Sequence, residues 1–306
     1  MARHLRILTA GGKGGTGKTS TSALAICLLD SYGRSPYVVE VERARADNGV
    51  APLRKLTMLL RSQRRSVDQA VALPEGLDTR KNPQSALTAF DPVLTAIEGS
   101  AERDVVIDLG AGITEELLRI AEYADHGEIT GGGEGVILLA CVKVDDGSSI
   151  DDAVQCITQF KAVYPQGRAV AVLTFVQGSN AARARRDMAS LADEVVEVEY
   201  ETSPYMSVLY GQGFLWPAKL AGLVVDEEKI SPTNAAQVIK DALGEDTSLA
   251  MVNIARKHYL EWYKRAMQAM ETAILGREAA EHPSGAVETP AAAPAKAKAA
   301  AAGSRA

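Results

Sequence analysis

The sequence has 306 residues, of which 46% are hydrophobic and 24% are charged. That composition provides enough apolar material for one large α/β domain with appendages, or for two small domains. The formal net charge of −6 and the isoelectric point of about 5.4 argue against a protein whose whole surface is built for nucleic acid, although they leave room for local basic patches.

Cysteine usage and hydropathy exclude further classes of protein. No stretch of 18 apolar residues without charge is present, which predicts that no helix spans a membrane. A glycine-rich motif already starts at Gly11 and leaves no room for the apolar part of a secretion signal, so we expect a cytoplasmic protein. The three cysteines form neither a CxxC pair nor a metal-ligand spacing, and we interpret them as reduced core residues: Cys27, Cys141 and Cys156.

In chain order, short apolar runs alternate with longer stretches of helical periodicity. This alternation predicts βαβ units and hence an α/β fold with a doubly wound, mostly parallel sheet that helices cover on both faces. Most of the runs are continuously apolar, as expected for parallel strands that are buried on both faces. The predicted strands cover residues 5–9, 37–41, 104–109, 135–142, 169–176 and 195–198.

Two helices are predicted between these strands. The first covers residues 19–32 and ends at Gly33, which tolerates the left-handed conformation common at helix C-termini. The second covers residues 149–164, and we expect it to start at Ser148 or Ser149 because serine is a favoured N-cap.

A long amphipathic helix is predicted over residues 247–275, where apolar residues recur at helical spacing. Its apolar side would either pack on the domain or attach reversibly to a membrane, and we favour packing. Beyond this helix the composition collapses to Ala, Pro, Lys and Gly, which offers nothing to bury and predicts disorder. We therefore divide the chain into a P-loop domain of residues 1–245, an amphipathic helix of residues 246–280 and a disordered tail of residues 281–306.

The candidate functional residues begin with a complete GxxxxGK[ST] motif between an apolar strand and a helix. Glycines let the backbone N–H groups of such a loop point at phosphate oxygens, and the helix N-terminus adds partial positive charge. Lys18 is expected to reach the β- and γ-phosphates and the Thr19 hydroxyl to bind magnesium; the alternative is a flexible glycine loop. We assign the motif and the next residue to nucleotide binding: Gly12, Lys13, Gly14, Gly15, Thr16, Gly17, Lys18, Thr19 and Ser20.

With Lys13 the motif takes the form KGGxGK[ST], which resembles the deviant Walker A motif of the ParA/MinD group of P-loop ATPases. The resemblance extends more weakly over residues 1–220 and implies ATP and Mg²⁺ as ligands. In that family the extra lysine contacts phosphates in the partner subunit's site when two ATP-loaded monomers associate. The resemblance therefore implies a catalytic role for Lys13 and a homodimer when ATP is bound; the alternative is a solvated loop lysine.

Residues 105–113 form an apolar strand that ends in an aspartate and a glycine turn, and they resemble the DxGAGI segment of MinD-like flagellar-number ATPases. An aspartate at the carboxyl end of a buried strand beside the P-loop strand can hold a magnesium-linked water and sense the γ-phosphate. We assign Asp108 this catalytic and metal-binding role. The alternative is that Asp108 only caps the turn that follows.

The sequence departs from the family pattern after the second strand, where an aspartate pair, DxD, is usual and the register here reads Glu40-Val41-Glu42-Arg43. We assign the water-positioning role to Glu42. Its arm is one methylene longer than that of aspartate, and a displacement of about 1 Å can cost on the order of a hundredfold in rate. Asp47 is a weaker candidate, and a surface carboxylate without a catalytic role is the alternative.

A second departure concerns the nucleotide base. In this family the strand that covers residues 170–176 often ends with an asparagine that reads adenine, whereas Thr174 stands here. Pro204 and Met206 occupy the stretch that usually completes the base pocket. We assign Thr174 and Pro204 to the base site, and the preference for ATP over GTP follows from the resemblance alone.

Residues 51–81 are basic, with seven Lys or Arg against three Asp or Glu in an acidic chain. This segment could bind DNA without sequence preference, bind an acidic partner protein, or be a solvated helix face. The candidate contacts are Arg54, Arg61, Arg64 and Arg65, and a smaller group has the same alternatives: Arg183, Arg185 and Arg186.

The resemblance implies an ATP-binding, slowly hydrolysing dimeric switch that acts in the positioning, segregation or transfer of plasmid DNA or another large cargo. The leading alternative is a nucleotide-binding scaffold that does not hydrolyse ATP. A small-molecule ligase or metallochaperone of the same superfamily is a further alternative, which neither a substrate loop nor a cysteine pair supports.

Overall fold

The computed structural model describes most of the predicted domain and the long C-terminal helix. The described residues are 4–44, 56–57, 60, 66–99, 103–176, 179–200, 224–225, 228–229, 240, 244 and 247–276. Some predictions fall outside these residues and stay predictions. They concern Asp47, Pro204, Met206, the tail, and the basic side chains Arg54, Arg61, Arg64 and Arg65.

Seven strands form one sheet in the described part of the chain. They are β1 (Arg6–Ala10), β2 (Tyr37–Arg43), β3 (Gln69–Leu73), β4 (Val105–Leu109), β5 (Val136–Lys143), β6 (Arg168–Val176) and β7 (Glu194–Tyr200). Their order across the sheet is β3-β2-β4-β1-β5-β6-β7, and every neighbouring pair is parallel. A separate antiparallel pair consists of β8 (Val224–Val225) and β9 (Glu228–Lys229).

Helices cover both faces of this sheet. They are α1 (Lys18–Ser31), α2 (Pro83–Glu98), α3 (Ile113–Tyr123), α4 (His126–Ile129), α5 (Gly147–Val163), α6 (Ala182–Ala189) and α7 (Leu249–Leu275). The chain winds outward on either side of the central strand β1, first through β2 and β3 and later through β5, β6 and β7. The predicted doubly wound parallel α/β fold is therefore confirmed.

Alternate residues of each strand enter two separate hydrophobic cores, as the two-residue period of a strand requires. In β1, Ile7 belongs to the core that the sheet forms with α1 and α7. Leu8 belongs to the core on the opposite face, which also contains residues of α2, α3 and α5. On the face of α2, α3 and α5 the core reaches the carboxyl ends of β1 and β4 at Ala10 and Leu109. On the face of α1 and α7 the corresponding ends carry buried polar side chains instead: Thr9, Glu40 and Asp108.

The predicted strands and helices are confirmed, with ends that differ by one or two residues. One helix start was wrong. We expected Ser148 or Ser149 at the start of α5, but the N-cap is Asp146, whose carboxylate accepts a hydrogen bond from the Ser148 backbone N–H at 3.1 Å. Aspartate and serine are equally good caps, so sequence preference alone could not decide between them.

The long helix α7 packs on the sheet, so the packing interpretation of this segment is correct. It contacts β7 and α1, and Tyr259 and Trp262 are fully buried there. Its apolar stripe is narrower than predicted, because Ile254 is 46% exposed. Within the described residues, no helix combines the length and the apolar character needed to span a membrane.

Candidate nucleotide-binding site

The GxxxxGK[ST] motif forms a loop between the carboxyl end of β1 and the first residue of α1. Gly15 and Gly17 have positive φ angles of 79° and 88°, a conformation that glycine adopts without strain. Gly17 is the N-cap of α1 and caps it with no side chain, and the first turn of the helix contains no acidic residue. The amino end of α1 thus adjoins the loop, and the helix dipole there favours an anion.

At two of its glycines the P-loop packs against neighbouring elements so closely that little or no room is left for a side chain. A Cβ atom added at Gly12 would lie 2.2 Å from Oδ2 of Asp152 in α5. At Gly17, an added Cβ would lie 3.0 Å from Cγ2 of Thr174 in β6. The loop is therefore held between α5 and β6, which fixes the direction of its backbone.

Lys18 folds back over the loop. Its side chain is buried, and its Nζ donates a hydrogen bond to the carbonyl oxygen of Lys13. The ammonium group therefore lies within the curve of the P-loop, where a bound phosphate would meet it.

Asp108 lies at the carboxyl end of β4, directly beside Thr9 of the P-loop strand in the register of the sheet. Its Oδ1 accepts hydrogen bonds from the hydroxyls of Thr9 at 3.1 Å and Ser22 at 2.8 Å. Burial raises the pKa of this carboxyl, while Ser22, Thr19 and Thr9 oppose the shift by hydrogen bonding. The partners Thr9 and Ser22 belong to β1 and α1. These bonds therefore differ from those expected if Asp108 only capped the turn after β4.

Thr19 and Asp108 are thus brought together next to the P-loop. A threonine hydroxyl and a carboxylate are hard oxygen ligands of the kind that Mg²⁺ prefers, and Mg²⁺ in such sites is completed by phosphate oxygens and water. The chemistry of this pair fits the predicted metal. No group of three or more His, Cys, Asp or Glu side chains that could hold a metal ion occurs among the described residues.

The two glutamates of β2 have different surroundings. Glu40 is buried, and its carboxylate accepts hydrogen bonds from the Leu56 backbone N–H at 2.9 Å and from the Thr57 hydroxyl. Burial raises its pKa. Glu42 instead approaches the loop after β4, because a Cβ added at Gly110 would lie 2.6 Å from Glu42 Oε2. Of these two glutamates, Glu42 lines the cavity beside the P-loop and Glu40 does not.

A cavity of about 830 Å³ opens between the P-loop and the ends of β2 and β4. Its volume lies within the usual range for small-molecule sites. Sequence reasoning assigned no role to Arg43 or Glu75, which line it as well, since neither belongs to the motifs that carried the prediction. The lining residues are Gly14, Gly15, Gly17, Lys18, Thr19, Ser20, Glu42, Arg43, Ala44, Glu75, Leu109, Gly110 and Ala111.

Lys13 makes contacts within its own chain. Its side chain is 50% exposed, donates a hydrogen bond to the Ser148 hydroxyl, and places Nζ 3.7 Å from Oδ2 of Asp146. The pKa of Asp146 is lowered, first by the hydrogen bond from Ser148 and then by the charge of Lys13. The start of α5 thus holds Lys13 at the rim of the P-loop, and the side chain is not simply solvated.

Thr174 has a role that sequence reasoning missed. Its hydroxyl donates to the carbonyl oxygens of Thr16 at 3.1 Å and Val142 at 3.2 Å, and the side chain is buried. Thr174 thus holds the P-loop backbone at Thr16 and is not among the residues that line the cavity. The signal could not be found in the sequence, because the contact joins residues 158 positions apart.

Comparison with known proteins gives matches among solved structures only. No family model and no curated protein matches the chain. It is similar to an ATP complex of Cyanothece McdA, with 15% identity, 80% of this chain and 98% of that chain covered, and a TM-score of 0.38. It is also similar to the MinC:MinD cell division protein complex of Aquifex aeolicus, with 17% identity, 80% of this chain and 98% of that chain covered, and a TM-score of 0.43. A structure of the MinD cell division protein of Aquifex aeolicus gives 16% identity, coverage of 77% of this chain and 96% of that chain, and a TM-score of 0.39.

McdA and MinD are ParA/MinD-family ATPases, the group that the P-loop motif resembles.

Proposed function

We propose that the chain binds ATP with Mg²⁺ between the P-loop and the ends of β2 and β4, hydrolyses it slowly, and thereby switches between a monomer and a homodimer. The observation that supports this best is the buried carboxylate of Asp108, which lies beside the P-loop strand and within reach of the Thr19 hydroxyl. A P-loop joined to such an aspartate is suited to a nucleoside triphosphate and a divalent cation.

Each residue of the site has a distinct task in this proposal. The N–H groups at the start of α1 and the ammonium of Lys18 bind phosphate oxygens. Thr19 and Asp108 would hold Mg²⁺, directly or through water, and the ion would supply positive charge between the β- and γ-phosphates. Glu42 orients a water whose oxygen forms a bond to the γ-phosphorus as the bond to the bridging oxygen breaks, which yields ADP, phosphate and a proton.

Lys13 provides the link between ATP and dimer formation. The family resemblance implies that this lysine reaches across to a second subunit's phosphates, and the exposed position of Lys13 at the rim of the P-loop is compatible with that role. Lys13 would first have to leave Asp146 and Ser148. ATP then favours the dimer, because its phosphates compete with these two side chains for the ammonium group.

The proposed cellular role is the positioning, segregation or transfer of plasmid DNA or another large cargo, and it rests on the family resemblance. DNA or an acidic partner protein would bind the basic side chains of Arg54, Arg61, Arg64 and Arg65. The second candidate is a nucleotide-binding scaffold without turnover, which the longer arm of Glu42 favours because a displaced carboxylate positions water less well.

The first prediction tests nucleotide binding. Lys18→Ala should abolish ATP binding and leave the fold intact, because the substitution removes the cation that offsets phosphate charge and no core contact. Calorimetry with Mg²⁺ and ATP measures the affinity, and thermal unfolding checks the fold. Lys257→Ala, an exposed lysine on α7, is the matched control and should bind ATP as the natural chain does. Unchanged affinity in Lys18→Ala would contradict the proposal.

A further inference from the structure

The end of β2 contributes a cationic residue to the lining of the nucleotide cavity. Arg43 is the last residue of that strand and follows the proposed water-positioning residue Glu42 directly. Of the described residues that line the cavity, two are cationic: Lys18 of the P-loop and Arg43 at the end of β2. Two cations that line one cavity are suited to a ligand that carries several negative charges.

The position of the Arg43 guanidinium is set by Glu116. Nη2 of Arg43 forms an ion pair with Oε1 of Glu116, which is 19% exposed and lies in the first turn of α3. The other oxygen, Oε2, is buried and accepts no hydrogen bond from the described residues. An acidic residue in the first turn is stabilised by the helix dipole, so Glu116 is a persistent anchor for the guanidinium.

The helix that bears this anchor is itself tied down. Glu115, the neighbour of Glu116, pairs with Arg119 one turn later and lies 3.6 Å from Arg80. Arg119 also donates to the Thr79 hydroxyl at 2.7 Å. The start of α3 is thereby connected to the loop after β3, and Arg43 is supported by a network and not by one isolated pair.

A guanidinium can hold its anchor and a ligand at the same time. It has five N–H donors in a planar fork, so one edge can stay on Glu116 while another contacts a phosphate oxygen. The Arg43 side chain is 34% exposed, and Arg43 lines the same cavity as Lys18 and the P-loop glycines. Phosphates held by Lys18 and the P-loop would therefore share that cavity with Arg43.

We propose that Arg43 is a ligand of the γ-phosphate supplied by the same subunit and that Glu116 is its positioning residue. This inference rests on the proposed function, since it concerns the same ATP site. Arg43 distinguishes ATP from ADP, because only ATP carries the phosphate that it contacts. It also stabilises the negative charge that spreads over the γ-phosphate oxygens while water attacks and ADP leaves.

Affinities for ADP and for a non-hydrolysable ATP analogue test the binding step. In Arg43→Ala, affinity for the analogue should fall about tenfold to a hundredfold, whereas affinity for ADP should change by less than about twofold. Arg43→Lys should lie between, because it keeps the charge and loses the fork. Arg265→Ala is the matched control, since Arg265 is exposed on α7, lies outside this network and does not line the cavity.

Turnover tests the catalytic step. Arg43→Ala should lower kcat about a thousandfold if the guanidinium acts on the transition state as cationic fingers do. Glu116→Gln should lower kcat about tenfold with little change in KM, because it loosens Arg43 and leaves binding by the P-loop intact. A double variant should show no further loss of ATP-over-ADP preference beyond that of Arg43→Ala, whereas independent structural effects would add.

Two sets of results have different meanings. Equal losses for both nucleotides in Arg43→Ala, or no loss for either, would overturn the role of Arg43 and leave the ATP site standing. A natural chain that binds neither nucleotide, or a Lys18→Ala chain that binds ATP normally, would instead remove the proposed function and this inference with it. Should Arg43→Ala fail to fold in thermal unfolding, Arg43→Lys and Glu116→Gln decide the same question.

Discussion

At the residue scale, Glu40 and Glu42 show how two similar side chains on one strand acquire different tasks. Both carboxylate oxygens of Glu40 accept hydrogen bonds, one from the Leu56 N–H and one from the Thr57 hydroxyl. The side chain is buried and does not line the nucleotide cavity. Glu42 lies two residues later on the same side of β2, beyond the buried core, and lines the cavity next to Gly110. Position along the strand, and not residue type, separates a structural carboxylate from a candidate catalytic one.

The water-positioning role proposed for Glu42 gives the next prediction. Glu42→Ala should keep ATP affinity and the ATP-bound dimer but lower phosphate release on the order of a hundredfold, because a positioned carboxylate is lost. Glu42→Asp should speed release, since the shorter arm restores the usual reach. Phosphate release under multiple-turnover conditions measures both. Glu199→Ala, at the end of β7, should have no effect, and a fully active Glu42→Ala would move the search to Asp47.

Asp108 gives a pH-dependent prediction. Burial raises its pKa in the folded state, so its contribution to stability is full below the unfolded pKa and is lost as the pH rises through the folded pKa. Asp108→Asn replaces the carboxyl with a neutral group of the same shape, so it should raise the thermal midpoint at pH values above the unfolded pKa. The gain should shrink in acid, where the natural carboxyl is protonated.

The same substitution should remove the stabilisation that Mg²⁺ adds to ATP, because the metal loses its carboxylate. Thermal unfolding at pH 7 and in acid, with and without Mg²⁺ and ATP, measures both effects. Asp151→Asn on the exposed side of α5 is the control and should change neither quantity. A full response to Mg²⁺ in Asp108→Asn would contradict the metal-binding role.

At the scale of elements, local signals were enough for the parts of the fold that depend on nearby residues. The P-loop could be predicted because its spacing lies within one turn between a strand and a helix. The helix α7 could be predicted from periodicity, since its buried residues recur along one stripe. The edge strand β3 was missed, because its run is short and its alanines Ala70 and Ala72 are exposed.

Contacts between distant elements could not be predicted from the sequence. The pair of Arg43 with Glu116 joins residues 73 positions apart, and the contact of Lys13 with Ser148 joins residues 135 positions apart. Both depend on the strand order, which brings the ends of β2, β4 and β5 to one edge of the sheet. Thr174 illustrates the same limit, because the bond from its hydroxyl to the P-loop backbone joins distant parts of the chain. Its assignment to the base site stays a prediction.

At the scale of the whole molecule, the P-loop occupies an accessible edge of the sheet. Gly12, Lys13, Gly14 and Gly15 are exposed, so a second subunit could approach the bound phosphates directly. Lys13 is held there by Asp146 and Ser148 of its own chain. These are partly exposed contacts, which phosphates can outcompete, since exposed ion pairs contribute little to stability.

The dimer prediction follows from this competition. Lys13→Ala should keep ATP binding, because Lys18 and the loop N–H groups remain, but should lose ATP-dependent dimerisation and the hydrolysis that requires it. Asp146→Asn should shift the dimer to lower protein concentration, because it removes the charge that retains Lys13. Asparagine remains an efficient N-cap, so α5 should keep its start. Light scattering with ATP, alongside phosphate release, measures both variants.

Asp145→Asn is the matched control, since Asp145 is the neighbouring carboxylate and accepts a hydrogen bond from the Ser179 hydroxyl and not from Lys13. It should dimerise as the natural chain does. A Lys13→Ala chain that dimerises and hydrolyses ATP normally would refute the role of Lys13 across the dimer. If Asp146→Asn leaves dimerisation unchanged while dimerisation still requires Lys13, the contact between Lys13 and Asp146 does not compete with the partner's phosphates. The release of Lys13 from Asp146 would then cost no measurable free energy.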